Sequence, residues 1–177
     1  MPIGSRLQRF LNRNSVEYAR SVHPRADTAR QVAFEEAISP HRMAKTIVFN
    51  SDRGFGMAVV PADSFLDLPE IRFVLGLGHI RLATEDELGM LFPDSEVGAM
   101  PPFGNLYGIP VFVDANLADA EVIAFNAGTH QDVVYMRFPD FKRLVRPSIH
   151  FFAKRNSEAR NDDQELKVRM ETDMQVL

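Results

Sequence analysis

The sequence contains no cysteine, which removes disulfides, thiolate metal sites and a cysteine nucleophile from consideration. It has no run of roughly 18 apolar residues, so nothing in it reads as a membrane-spanning helix. Residues 1–14 carry Arg6, Arg9 and Arg13 among their apolar residues and lack the unbroken apolar stretch of a secretory signal. These absences set a cytoplasmic expectation. The histidines at 23, 41, 79, 130 and 150 show no paired metal-ligand spacing. There is no G-x-x-x-x-G-K-[ST] phosphate loop and no G-x-S-x-G nucleophile elbow. No metal and no cofactor is expected. A basic excess is missing too: the net charge of −4 argues against a general nucleic-acid binder.

What is present fits one domain. At 177 residues, 45% hydrophobic and 25% charged, the chain can bury a single core. Its charge is unevenly spread. Residues 1–30 hold six arginines against Glu17 and Asp27, a net +4, which leaves −8 for the remainder. Such asymmetry suits either local contact with a polyanion or a solvated helix face.

Ile3, Leu7, Phe10 and Leu11 recur at helical spacing beside a stripe of Arg6, Arg9 and Arg13, predicting an amphipathic first helix. Residues 16–22 read as a strand ended by His23-Pro24. Asp27 or Thr28 can cap a helix that runs through Ala37 and stops before Pro40. Two β-rich runs, 43–50 and 55–60, flank Ser51-Asp52-Arg53-Gly54 and predict a hairpin. A helix over 68–75, a strand over 80–83 and a capping box at Thr84-Glu85-Asp86-Glu87 follow. Residues 93–110 hold too many prolines and glycines for either period. Strands are expected at 111–113, 122–126 and 133–137, then a short helix at 140–145. Helices and strands alternate without a regular βαβ repeat, which favours α+β with a mixed sheet. Residues 1–150 are read as the domain and 151–177 as a charged tail or helix.

Three clusters could carry chemistry. Lys45 alternates onto the face of Ile47 and Phe49, opposite Thr46 and Asn50. A buried ammonium needs a carboxylate, an anion or water, whereas a lysine at a strand end can snorkel. Residues 98–104, Gly-Ala-Met-Pro-Pro-Phe-Gly, form a stiff loop that suits either an oxyanion site or a plain connector. Gly128-Thr129-His130 closes a strand, and His130 is either a base that handles water or a turn residue. His23 carries the same ambiguity.

These clusters, in this order, resemble the YbaK/prolyl-tRNA synthetase-associated domain family. The matching residues are His23-Pro24 with Thr28-Ala29, then Ala44-Lys45-Thr46-Ile47-Val48-Phe49 and Ala58-Val59-Val60-Pro61-Ala62-Asp63. They continue through Arg81-Leu82-Ala83-Thr84 and Glu87-Leu88. The densest match is Phe92-Pro93-Asp94, Glu96 and Gly98-Ala99-Met100-Pro101-Pro102-Phe103-Gly104, and the set ends with Phe125-Asn126-Ala127-Gly128-Thr129-His130. Together they span roughly residues 16–147, most of the chain.

The resemblance implies a mixed sheet or barrel-like core wrapped by helices. It implies hydrolysis of the ester on a mischarged tRNA, with tRNA-Pro carrying a small wrong amino acid as the expected substrate. Lys45, Gly98, Gly128 and His130 are the implied catalytic set. His23, Thr28, Thr46, Ala99, Met100, Pro101, Pro102, Phe103 and Thr129 are the implied substrate-binding set. Backbone N–H groups of the Gly98 and Gly128 segments are expected to polarise the ester or orient water. The acceptor end of tRNA is the implied partner, with weak contacts from Arg6, Arg9 and Arg13, and prolyl-tRNA synthetase is a second expected partner. Monomer and homodimer stay open. The alternative is a non-catalytic module of the same fold that binds tRNA or a nucleotide.

Overall fold

The hairpin at the centre of the chain organises everything else. β2 (Met43–Ser51) and β3 (Gly54–Pro61) pair antiparallel in unbroken register from Ala44 opposite Pro61 to Ser51 opposite Gly54. Their β-branched and apolar residues suit a strand buried on both faces. The computed structural model describes residues 4–155; Ile3 and most of the expected tail lie outside the described residues.

Around the hairpin runs an eight-stranded mixed sheet. Its other members are β1 (Tyr18–Val22), β5 (Ile80–Leu82), β6 (Val111–Asp114), β7 (Val122–Asn126), β8 (Asp132–Arg137) and β9 (Ser148–His150). The order is β1-β8-β7-β2-β3-β6-β9, with β5 also paired to β2. A separate ribbon joins β4 (Ser64–Leu66) to β10 (Ala153–Arg155). The α+β, mixed-sheet expectation holds.

Alternation along β2 sends its side chains into different cores. Ala44 and Val48 join a cluster with Leu7, Leu11, Phe103, Phe125 and Phe141, whereas Phe49 packs with Ala58, Ile71, Leu77 and Phe152. Helix α1 (Ser5–Arg13) covers the first cluster through Leu7 and Leu11, and Phe10 meets Phe103 edge-on at 6.1 Å. Burying one such side chain stabilises the fold by about 1.5–3 kcal/mol. Helix α3 (Leu68–Val74) covers the second cluster through Ile71.

The local signals read from sequence act as expected. Thr28 caps α2 (Ala29–Glu35) and Thr84 caps α4 (Glu85–Leu91), both with full capping boxes. The first of these helices stops short of Ala37, which takes a positive φ of 52°. The last helix, α6 (Phe138–Val145), begins two residues before the expected Asp140 because Pro139 starts a helix well. A short helix, α5 (Ala115–Ala118), had no clear sequence signal.

The core also continues past the expected boundary at residue 150. Phe152 is buried in the second cluster, and Lys154 and Arg155 pair with Asp67 and Asp63. The backbone N–H groups of Phe152 and Ala153 both donate to the buried carboxylate of Asp114. A fully buried carboxylate needs such donors.

Candidate active site

One edge of β2 is split between two partners. Parallel pairing with β7 ends at Ala44 opposite Phe125, and antiparallel pairing with β5 begins at Phe49 opposite Leu82. Ala83 N–H also bonds Val48 C=O. Backbone groups of alternate residues point the same way, so those of Thr46 face the gap between the two partners. A cavity of about 270 Å³ opens there, lined by Asp27, Thr28, Ala29, Ala44, Lys45, Thr46, Ile47, Gly98, Met100 and Asn126.

Lys45 sits at this cavity half-buried, and its Nζ donates to Ser64 C=O at 2.6 Å. Burial and the positive charge of Arg30 hold the ammonium below its ordinary value, with Asp63 opposing them. Asp63 itself is fully buried against His41, Arg155 and the Ser64 hydroxyl. The sequence asked for a carboxylate, an anion or water beside Lys45. A carbonyl and a nearby carboxylate answer that need in part.

Two loops zip together to form the opposite wall. Glu96 N–H donates to Gly128 C=O at 2.8 Å, and Gly128 N–H donates to Ala99 C=O at 3.0 Å. His130 N–H donates to Glu96 Oε2 at 3.0 Å, while its Nε2 bonds Val97 C=O at 2.9 Å. Gly98 takes a φ of +89°, and a Cβ there would lie 3.3 Å from the His130 ring. Only glycine fits both limits. Its N–H donates to the Met100 sulfur at 3.2 Å, a weak acceptor.

Of the residues anticipated from sequence, Lys45, Thr46, Thr28, Gly98 and Met100 line the cavity. The others are not among its lining residues. Gly128 itself commits its N–H to Ala99 C=O. The His130 imidazole braces Val97, while its Nδ1, buried and 4.0 Å from Asp27, has no hydrogen-bond partner. Thr129 is bound to Asp132 through its hydroxyl and caps the Gln131 and Asp132 amides. His23 is buried with Nδ1 on Pro24 C=O. Ala99, Pro101 and Pro102 are buried within their own loop, and Phe103 is a core ring against Phe125 and Phe141.

The N-terminal arginines do not reach the cavity. Arg6 donates to Leu106 C=O and lies over the Tyr107 ring at 4.7 Å, and Arg9 bonds back to Ser5. Arg13 is exposed in the last turn of α1. Tyr107 in turn donates to Asp94 at 2.7 Å, and burial with that carboxylate raises the phenol above its usual value.

The residue missed from the site is Asn126. It ends β7, is 9% exposed, lines the cavity, and its Oδ1 accepts no hydrogen bond. An amide closing the otherwise apolar run Val122-Ile123-Ala124-Phe125 was the available signal. No group of three or more His, Asp and Glu placed to hold a metal ion occurs among the described residues. No helix among them is long and apolar enough to cross a membrane.

The model of the aminoacyl-tRNA editing domain matches residues 23–144, well over half of the chain. The chain belongs to that family. Both cavity walls, from Thr28 to Asn126, fall inside the matched span. Solved structures agree on the fold of this editing domain. Hypothetical protein APE2540 superposes with a TM-score of 0.76 at 16% identity, over 85% of this chain and all of its own. A protein proposed to be a trans-editing enzyme for prolyl tRNA synthetase gives a TM-score of 0.76 at 20% identity, covering 87% of this chain and 98% of its own. The same fold occupies 30% of a larger chain from Marinobacter aquaeolei VT8, proposed to act in signal transduction, with a TM-score of 0.67 at 20% identity.

Proposed function

We propose that this editing domain is an aminoacyl-tRNA deacylase, hydrolysing the ester between a small wrong amino acid and the tRNA 3′ end. Charged tRNA-Pro is the first substrate to test. The supporting observation is the convergence of Lys45, Thr46, Gly98 and Asn126 on one cavity of about 270 Å³. That volume lies at the small end for ligand pockets and suits an aminoacyl group with part of a ribose.

The chemistry asks little of the protein. An aminoacyl ester is already activated, so a held water can add to the carbonyl carbon without a covalent enzyme intermediate. The C–O bond to the ribose then breaks, the ribose oxygen takes one proton of that water, the other passes to solvent, and the amino acid leaves as its carboxylate. Lys45 holds the carbonyl or the terminal phosphate. Gly98 N–H supports the oxygen that gains negative charge. The bracing of the loop by His130 and Gly128 keeps that donor in place before the substrate arrives. Because one methylene changes binding by only about 1–3 kcal/mol, a small second pocket adds useful selection to a synthetase.

The test is a panel of mischarged tRNAs incubated with purified protein, following release of the amino acid. Release from tRNA-Pro bearing alanine or another small residue, with correctly charged Pro-tRNA-Pro spared, is the expected result. Saturable binding without release from any tRNA would replace this reading with the non-catalytic module.

A further inference from the structure

Asp63 is fully buried, which for a carboxylate is costly until donors and cations meet it. Ser64 Oγ donates to its Oδ1 at 3.1 Å, and His41 Nδ1 lies 3.2 Å from its Oδ2. Arg155 reaches the same Oδ2 from the exposed side, with Nε at 3.3 Å. A guanidinium keeps its charge at any ordinary pH. The strand that carries it is pinned in place. Arg155 stands opposite Ser64 in register, Lys154 pairs with Asp67, and Asp67 N–H donates to Phe152 C=O at 3.0 Å.

The carbonyl that holds Lys45 belongs to the residue next to Asp63, with Nζ on Ser64 C=O at 2.6 Å. Asp63 attracts this ammonium, and Arg30 of α2 repels it. Asp27, from the loop before α2, lines the same cavity. The buried carboxylate thus has a further cation beside it, which it leaves at the cavity.

We infer that Arg155 is a positioning residue for Lys45: by pairing with Asp63 it leaves the Lys45 ammonium on the Ser64 carbonyl, at the cavity rather than on the buried carboxylate. Without Arg155, Asp63 draws Lys45 into an ion pair of its own and away from a bound ester. Arg155 lies outside the matched residues 23–144, so the last strand of the described chain sets the charge of a site built from earlier elements. The effect on rate rests on the deacylase reading; the arrangement of charge does not.

The experiment follows Lys45 by NMR in protein labelled with 13C-lysine. The chain has four lysines, and Lys45→Arg identifies the signal. In Arg155→Gln the titration of Lys45 is expected to move to higher pH, because an ion pair with Asp63 favours the ammonium. Adding Asp63→Asn is expected to reverse the shift, and Arg155→Lys to leave it near wild type. Single-turnover release from alanyl-tRNA-Pro, per folded molecule, is expected to fall about tenfold in Arg155→Gln and to recover in the double variant. A merely structural arginine changes the melting temperature and leaves the Lys45 titration where it was. That result in a folded Arg155→Gln protein, or a rate loss that the double variant deepens, would overturn the inference. A titration shift that the double variant reverses, in a protein whose wild type hydrolyses no mischarged tRNA, would uphold the charge arrangement and remove the deacylase reading.

Discussion

The two ends of β2 each border a cavity, and the two are built in opposite ways. Near Lys45 the space measures about 270 Å³ and is lined by charged, polar and small residues. Near Phe49 a second space of about 140 Å³ lies among Phe49, Phe55, Leu75, Leu77, Pro110 and Phe112. Both polar side chains bordering the second are hydrogen-bonded to backbone groups. Ser51 bonds Gly54 C=O and Arg53 N–H, and Arg53 spans Leu75 C=O and Gly76 C=O. In the first, Asn126 Oδ1 is unbonded and Gly98 N–H meets only a sulfur. Uncommitted hydrogen-bonding capacity, more than the presence of a hollow, separates a site from a packing defect.

Exchanging damage between the two ends tests this contrast. Phe49→Ala should give the largest effect on stability, about 3–5 kcal/mol in denaturant unfolding, with little change in hydrolysis per folded molecule. A glycine pair then separates geometry from function. Gly54 and Gly98 both have φ near +90°, but a Cβ meets nothing within 4 Å at the first and the His130 ring at the second. Each alanine should cost roughly 1–2 kcal/mol of backbone strain. Gly98→Ala alone should also slow hydrolysis about tenfold, through displacement of the proposed oxyanion donor. Arg53→Ala should lower the melting temperature by a few degrees and leave the rate unchanged, since it removes contacts that only hold the apolar end together.

The smallest effect lies away from both cavities. Glu87 accepts from Arg81 and from Thr84 N–H, which together lower its carboxyl to about 2 from an ordinary value near 4.5. Stability from this exposed pair is present above about pH 4.5 and is lost as pH falls through about 2. Glu87→Gln should flatten that part of the melting-temperature profile and leave neutral-pH hydrolysis as it was.

Features set by neighbouring residues were readable in the sequence. The turn Ser51-Asp52-Arg53-Gly54 announced the hairpin, Thr84 and Glu87 announced a capped helix, and alternation placed Lys45 with Ile47 and Phe49. Features made by distant pairing were not. The ribbon of β4 with β10 brings residues 64–66 and 153–155 together, a pairing that no local pattern around residue 150 reveals. The split edge of β2 depends on where β7 stops and β5 begins, and no periodicity marks either point. Sequence order likewise could not tell which of Gly98, Gly128 and His130 faces the cavity and which braces it. Asn126 stood in the matching segment as a strand residue, and only its unbonded oxygen sets it apart.

Lys45 tests the central claim most directly. Burial and Arg30 lower its ammonium, and its hydrogen bond goes to Ser64 C=O, so it is a half-buried cation at the cavity that the proposed chemistry needs. The measurement is single-turnover release of alanine from alanyl-tRNA-Pro by Lys45→Ala beside wild type, with thermal melting of both. A loss of about 100-fold or more with an unchanged or raised melting temperature is the predicted result. Release at the wild-type rate by a folded Lys45→Ala protein would contradict the account.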